Sequence, residues 1–119
     1  MQTVAHLAGQ LRKGKLDAVA LTERVLAAIA ACEDRAIFTG ILAERALKEA
    51  RAARKRLKTG APLSLADGIP IAWKDLFDIK GRVTTAGSIV LQSNTPAAHD
   101  ASLVLRAAAA GIVSVGTLN

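Results

Sequence analysis

Gly68-Ile69-Pro70-Ile71-Ala72-Trp73-Lys74-Asp75-Leu76-Phe77-Asp78-Ile79 sets one lysine inside an otherwise apolar run with the length and composition of a strand. Strand alternation puts Ile69, Ile71 and Trp73 on one face and Lys74 on the other. A cation in such surroundings is costly, and burial favours the neutral amine, which can then accept a proton near neutral pH. By composition alone the plainer reading is a solvated or paired lysine, with Asp75 and Asp78 close enough in sequence to be its partners.

Downstream of this strand, Asp78 to Gly87 is rich in turn residues. Asp100 then stands where it can cap a helix reaching to about Ala110, and Ile112 to Val115 reads as a second strand. Gly111 occupies the reversal between them, a position that favours a left-handed residue. Strand, helix, strand predicts an α/β sheet, and in open α/β sheets ligands gather beyond the carboxyl ends of strands. Upstream, Ala61 to Asp67 has the proline, serine and aspartate of a connecting loop. Before it lie three helical patterns. Thr3 caps Val4, Leu7, Ala8 and Leu11, with Gly14 at the stop; Asp17 caps a stripe of Leu21, Val25, Ile29 and Cys32. The third, from about Leu42 to Lys58, is expected to bury Leu42, Ala46, Leu47, Ala50, Ala53 and Leu57, with Glu44–Lys48 and Arg45–Glu49 pairing on its outer side.

Four blocks in order carry a resemblance: Gly68 to Asp75, Thr84-Thr85-Ala86-Gly87-Ser88, Asp100-Ala101-Ser102-Leu103-Val104, and Ala110 to Asn119. Together they resemble the amidase signature family over the 52 residues from Gly68 to Asn119, and the alanine-rich helix before the glycine-proline strand matches in general character. The resemblance implies an α/β fold in which N-terminal helices precede the first strands and helices of a mixed sheet. It implies the N-terminal part of a single amidase domain, with residues 1–60 helical and 61–119 the start of the sheet. It further implies that Lys74 is catalytic: it deprotonates a serine held by a cis peptide, which activates a nucleophilic serine against an amide carbon. An acyl-enzyme forms, ammonia or an amine leaves, and water releases the acid. The partner is then a small-molecule amide, and no cofactor is expected.

Those two serines belong to a glycine- and serine-rich region that does not occur before Asn119, so a hydrolytic site is expected to be incomplete in these 119 residues. None of Ser64, Ser88, Ser93, Ser102 and Ser114 sits in a glycine-rich loop, and none is a substitute nucleophile. Gly87 and Ser88 are candidates for contacting substrate, since a loop of small side chains lets backbone approach a ligand. His99 beside Asp100 reads as a solvated loop residue, not as part of a catalytic pair. The residues after Lys74-Asp75, Leu76-Phe77-Asp78, look more like general amidases than the A subunit of a tRNA-dependent amidotransferase, which is the alternative.

A net charge of +6 raises a different class, a nucleic-acid or interaction module. Seven basic residues between Leu42 and Thr59 face only Glu44 and Glu49, so the charge is concentrated on the third helix. That helix has no interleaved aromatics for stacking bases, which disfavours the reading; were it right, Arg51, Arg54 and Lys55 would carry the contact. Apolar residues make up 51% of the chain but aromatics only 3%, so any core is built from small side chains. A half-sheet would leave strand edges and apolar faces uncovered, so residues 1–119 alone are expected to be poorly soluble. One cysteine, Cys32, and two distant histidines, His6 and His99, exclude a disulfide framework and show no metal-ligand spacing. No run approaches a membrane span and no leader pattern opens the chain, which points to a reducing, cytoplasmic setting. Oligomeric state is left open.

Overall fold

The first two helices begin where the caps place them. In a computed structural model that describes residues 2–119, α1 (Val4–Arg12) starts as the His6 N–H donates to the Thr3 hydroxyl at 3.2 Å. Helix α2 (Ala18–Ala31) starts as the Ala20 N–H donates to the Asp17 carboxylate at 2.9 Å. Strand β1 (Phe38–Ile41) and helix α3 (Ala43–Lys58) follow, then β2 (Pro70–Lys74), a 3-10 turn (Ile89–Ser93), α4 (Ser102–Ala109) and β3 (Val113–Leu118). Helix α4 returns the chain from β2 to β3 so that the two pair in parallel, and Gly111, at φ +84°, makes the reversal.

The three strands lie in the order β1-β3-β2, with β1 antiparallel to β3. The mixed α/β architecture agrees with the expected fold class. Strand β1 is the departure, since it lies inside the stretch read as helical. Its four residues, Phe-Thr-Gly-Ile, are too short to show a period, and their partner lies almost eighty residues further on. Gly116 makes the pairing possible: a Cβ there would stand 2.6 Å from the Gly40 carbonyl oxygen.

Small side chains bring the helices close. Ala46, Ala50 and Ala53 of α3 are fully buried, and the first two pack with Val19 of α2 against Val113 and Val115 of β3. Leu47 and Leu57, expected in the core, are half-buried at its margins. Ala72 joins this α2–α3 cluster, whereas Trp73 packs with Leu42, Ile79 and Val104 in another. A third cluster seats Ile69 against α1 and α2.

Glu49 completes the hydrogen bonding of β3 on the side of β1. Where β1 has diverged, the Ser114 N–H donates to Glu49 Oε2 at 2.7 Å and the Leu42 N–H to the Val115 carbonyl at 3.0 Å. The other Glu49 oxygen accepts from Arg45 Nε at 2.8 Å, and the rest of that guanidinium grips both Asp100 oxygens at 2.8 and 2.9 Å. Arg45 and Glu49 therefore pair as expected, but as part of a tether between α3, β3 and the start of α4, not on an outer face. Among the described residues Glu44 and Lys48 form no ion pair.

Arg54 and Arg56 likewise pair with carboxylates of other segments, Asp17 and Asp67. Much of the charge concentrated on α3 thus holds the fold together, and Arg54 is not a free cation for nucleic acid. The Arg54 guanidinium, helped by the Ala20 N–H and opposed by burial, draws the Asp17 carboxyl from 3.8 down to about 2. A depressed carboxyl stabilises the fold above its unfolded value, and that contribution is lost as pH falls through the folded one. Asp17→Asn keeps a good helix cap while removing the ion pair. Denaturant midpoints of this variant should therefore show a shallower decline than those of the parent between about pH 4 and about pH 2.

Candidate active site

The carboxyl ends of β2 and β3 are where the fold gathers the residues singled out by the sequence. Lys74 closes β2 opposite Leu118 of β3, and its carbonyl accepts the N–H groups of Leu76 at 2.7 Å and Phe77 at 3.2 Å, which turns the chain sharply out of the sheet. The lysine side chain is exposed. Alternation sends it to the side opposite Trp73, two residues beyond Ala72, the last β2 residue in the α2–α3 cluster. The apolar strand therefore does not bury it within these residues. Trp73, by contrast, is buried, donates from Nε1 to Ser114 Oγ at 3.0 Å and meets Phe77 edge-on at 5.6 Å between ring centroids.

Asp75 and Asp78 are not partners of Lys74. Asp75 is 3% exposed, and its carboxyl accepts the Thr85 hydroxyl, together with the Thr85 N–H at 3.3 Å. Asp78 accepts the Thr84 hydroxyl at 2.5 Å. Both aspartates are instead engaged by two threonines of the following loop, which offer short-range donors. Among the described residues the Lys74 amine has no ion pair.

The loop Thr84-Thr85-Ala86-Gly87-Ser88 is thereby laid across the end of the sheet. The Ala86 N–H donates to the Asp75 carbonyl at 2.8 Å, and the Ser88 N–H to the Thr85 carbonyl at 2.8 Å. Ala86 at φ 50° and Gly87 at φ +73° are successive left-handed residues. A Cβ at Gly87 would stand 2.5 Å from Asn119 Oδ1, a contact that the end of this exposed side chain relieves by turning, so it is the positive φ that favours glycine there. Lys74, Asn119 and Gly87 thus share one end of the sheet, and Ser88, the last residue of the loop, is half-buried. A cleft of about 360 Å3 opens beside them, lined by Thr39, Asp75, Arg82, Thr85, Gln92 and Thr117 among others; neither Lys74 nor Gly87 nor Ser88 lines it.

Asp100 is not the cap of α4. That helix starts after Ala101 without a side-chain cap, while the Asp100 carboxylate takes Arg45 and the Lys80 N–H at 2.8 Å. The Arg45 guanidinium, and after it the Lys80 N–H, hold its carboxyl below the usual carboxylate range against the effect of burial. A long-range bidentate partner satisfies Asp100 more fully than one local N–H, and no pattern within the helix announces it. His99 beside it is exposed. Ser64 and Ser93 donate to the Ala110 and Val90 carbonyls, and Ser114 accepts the indole N–H of Trp73. Among the described residues no group of three or more His, Cys, Asp or Glu side chains is placed to hold a metal ion.

The model of the Amidase family matches residues 20–119. The chain belongs to the amidase family. It is 44% identical over 118 residues to the A subunit of the glutamyl-tRNA(Gln) amidotransferase of Chloroflexus aggregans, covering 98% of this chain and 24% of that protein. Among solved structures it resembles one from a vestigial protein complex that reveals the evolutionary origins of an s-triazine catabolic enzyme (38% identity, TM-score 0.93, 99% of this chain and 26% of the other). It also resembles the peptide amidase of Stenotrophomonas maltophilia (33% identity, TM-score 0.87, 99% and 24%). This amidase-family chain therefore spans about a quarter of the length of the curated relatives it matches. Among the described residues no helix is long and apolar enough to cross a membrane.

Proposed function

We propose that this chain supplies the proton-accepting lysine, Lys74, of a cytoplasmic enzyme that hydrolyses a non-peptide amide. The observation that carries the reading is the placement of Lys74 at the carboxyl end of β2, exposed and without an ion pair among the described residues, beside a loop anchored to the next residue. A lysine that no carboxylate of these residues holds is free to meet a group brought against it.

In the mechanism that the family resemblance implies, Lys74 takes the proton of a bridging serine, which takes that of a nucleophilic serine as its oxygen attacks the amide carbon. The proton returns to the leaving nitrogen as the carbon–nitrogen bond breaks, and water then releases the acid and regenerates the serine. Both serines would come from chain outside these residues. Nothing in this sequence calls for a metal or an organic cofactor in those steps.

A second reading is favoured by the curated relatives, of which eight between 36% and 45% identical are A subunits of glutamyl-tRNA(Gln) amidotransferases. In that role the amide would be glutamine and the ammonia would pass to a tRNA-bound acceptor. The two readings separate in one assay. Ammonia release by the full-length protein would be followed on a panel of simple primary amides and on glutamine, each with and without charged tRNA and ATP. Turnover of simple amides without tRNA supports the first reading; glutamine turnover that appears only with charged tRNA and partner subunits supports the second. No ammonia under any condition would sink both.

A further inference from the structure

Asp75 has the features of a residue placed for a purpose other than packing. It is 3% exposed, and among the described residues no cation pairs with its carboxyl. A buried carboxyl without a counter-ion is costly, so an apolar side chain would serve a purely structural position here better. What Asp75 holds is specific. Its N–H donates to the Leu118 carbonyl at 2.8 Å, its carbonyl accepts from Ala86 at 2.8 Å, and its carboxyl accepts both donors of Thr85. The Thr85 hydroxyl oxygen in turn accepts the Gly87 N–H at 3.3 Å.

This chain of bonds runs from the residue after Lys74 to the glycine that sits against Asn119. It spans two successive left-handed residues, Ala86 and Gly87, a backbone that is strained at alanine and persists only where its surroundings over-determine it. The bonds from Thr85 and to Ala86 supply that constraint. They also fix the direction in which β2 delivers Lys74, because Asp75 is held to β3 on one side and to the loop on the other.

We infer that Asp75 is a positioning residue for the amide reaction, acting through Thr85 to lock the Lys74 end of β2 and the Thr84–Ser88 loop into one rigid unit. The inference rests on the reading of Lys74 as the proton acceptor. Asp75 itself carries no proton in the reaction; its carboxyl acts through the Thr85 side chain that it holds. Its removal lets the lysine and the loop drift relative to one another, and a misplacement of about 1 Å is enough to cost roughly 100-fold in rate.

The test uses the full-length protein and the amide that it turns over fastest. Asp75→Asn and Thr85→Val are expected to lower kcat by roughly 10- to 100-fold while KM moves less than about threefold. Thr85→Ser, which restores the hydroxyl, is expected to recover activity to within about threefold of the parent. The pH–rate profile of Thr85→Val should keep the midpoints of the parent, since the proton carrier is unchanged. Adding Asp75→Asn to Lys74→Ala should cost nothing further, because the aspartate acts through the lysine. Hydrogen exchange at the Ala86 and Gly87 amides, slow in the parent and fast in Thr85→Val, reports the clamp independently of turnover. Full activity in Thr85→Val alongside a dead Lys74→Ala would overturn the inference and leave the lysine reading standing. Equal activity in the parent and in Lys74→Ala would remove both. A Thr85→Ser variant as slow as Thr85→Val, or loss in the double variant equal to the product of the single losses, would also overturn it.

Discussion

Lys74→Ala is expected to lower amide turnover by the full-length enzyme about 10²- to 10⁴-fold, the usual worth of a positioned general acid–base group. The loss should fall on kcat, because a residue that only relays protons adds little to ground-state binding. Among the described residues Lys74 is exposed and makes no ion pair, so its truncation removes no contact that they supply. A thermal melt superimposable on that of the parent would separate lost chemistry from lost fold. Lys74→Arg should be nearly as slow as the alanine variant, since a guanidinium stays charged throughout the working range and cannot accept the proton. Retention of more than about a third of parental kcat in Lys74→Ala would end the claim that this lysine accepts a proton during turnover.

The largest expected effect on stability belongs to Asp67→Ala. The Asp67 side chain is fully buried and accepts Arg56 Nε at 2.8 Å, Arg56 Nη2 at 2.7 Å and the Leu63 N–H at 2.8 Å. It therefore joins the end of α3, the loop before β2 and, through its contact with the Cβ-less Gly111, the turn before β3. Deleting the carboxylate strands the Leu63 N–H and the guanidinium. Breaking one side of such a pair costs about 3–5 kcal/mol, and the partial exposure of Arg56, 26%, places this case toward the lower end. A loss of that size is a large share of the roughly 5–15 kcal/mol that holds a typical domain together. Removing both partners should be milder than removing one. Arg56→Met with Asp67→Ala is expected to be more stable than Asp67→Ala alone, which urea denaturation of the four proteins in the cycle would measure. A loss in the double variant equal to the sum of the two single losses would mean that the pair contributes nothing beyond its separate parts.

How legible these features are in the sequence depends on how local their causes are. Thr3 and Asp17 act on N–H groups three residues away, and both helices begin where those caps predict. Gly111 answers a demand of its own φ angle, and it too is readable. The alanine stripe of α3 at positions 46, 50 and 53 shows its period within one helix. Strand β1 escapes a sequence reading because four residues around a glycine carry no period and gain their structure only from Gly116 to Leu118. Asp100 reads as the cap of a nearby helix, whereas its partner, Arg45, lies 55 residues earlier. Lys74 is legible as an anomaly, a charge in an apolar strand, yet whether it is covered depends on elements packed around the strand end. Asp75 reads only as a possible counter-ion, and nothing in the sequence tells that its bond goes to Thr85.

The sheet order has a consequence for how the molecule comes into being on the ribosome. Of the three strands, β3 emerges last and yet lies between the other two, which have no contact with each other in the ladder. Until Val113 to Leu118 has left the exit tunnel, β1 and β2 are edges without a mate, and the apolar side chains of α2 and α3 that will meet Val113 and Val115 are wet. Docking can proceed only after most of these residues have been translated. The nascent protein thus passes through a stretch of synthesis in which its sticky surfaces are shielded by helix pairing alone, a state that holdase chaperones are suited to guard and that slow elongation before Val113 would prolong.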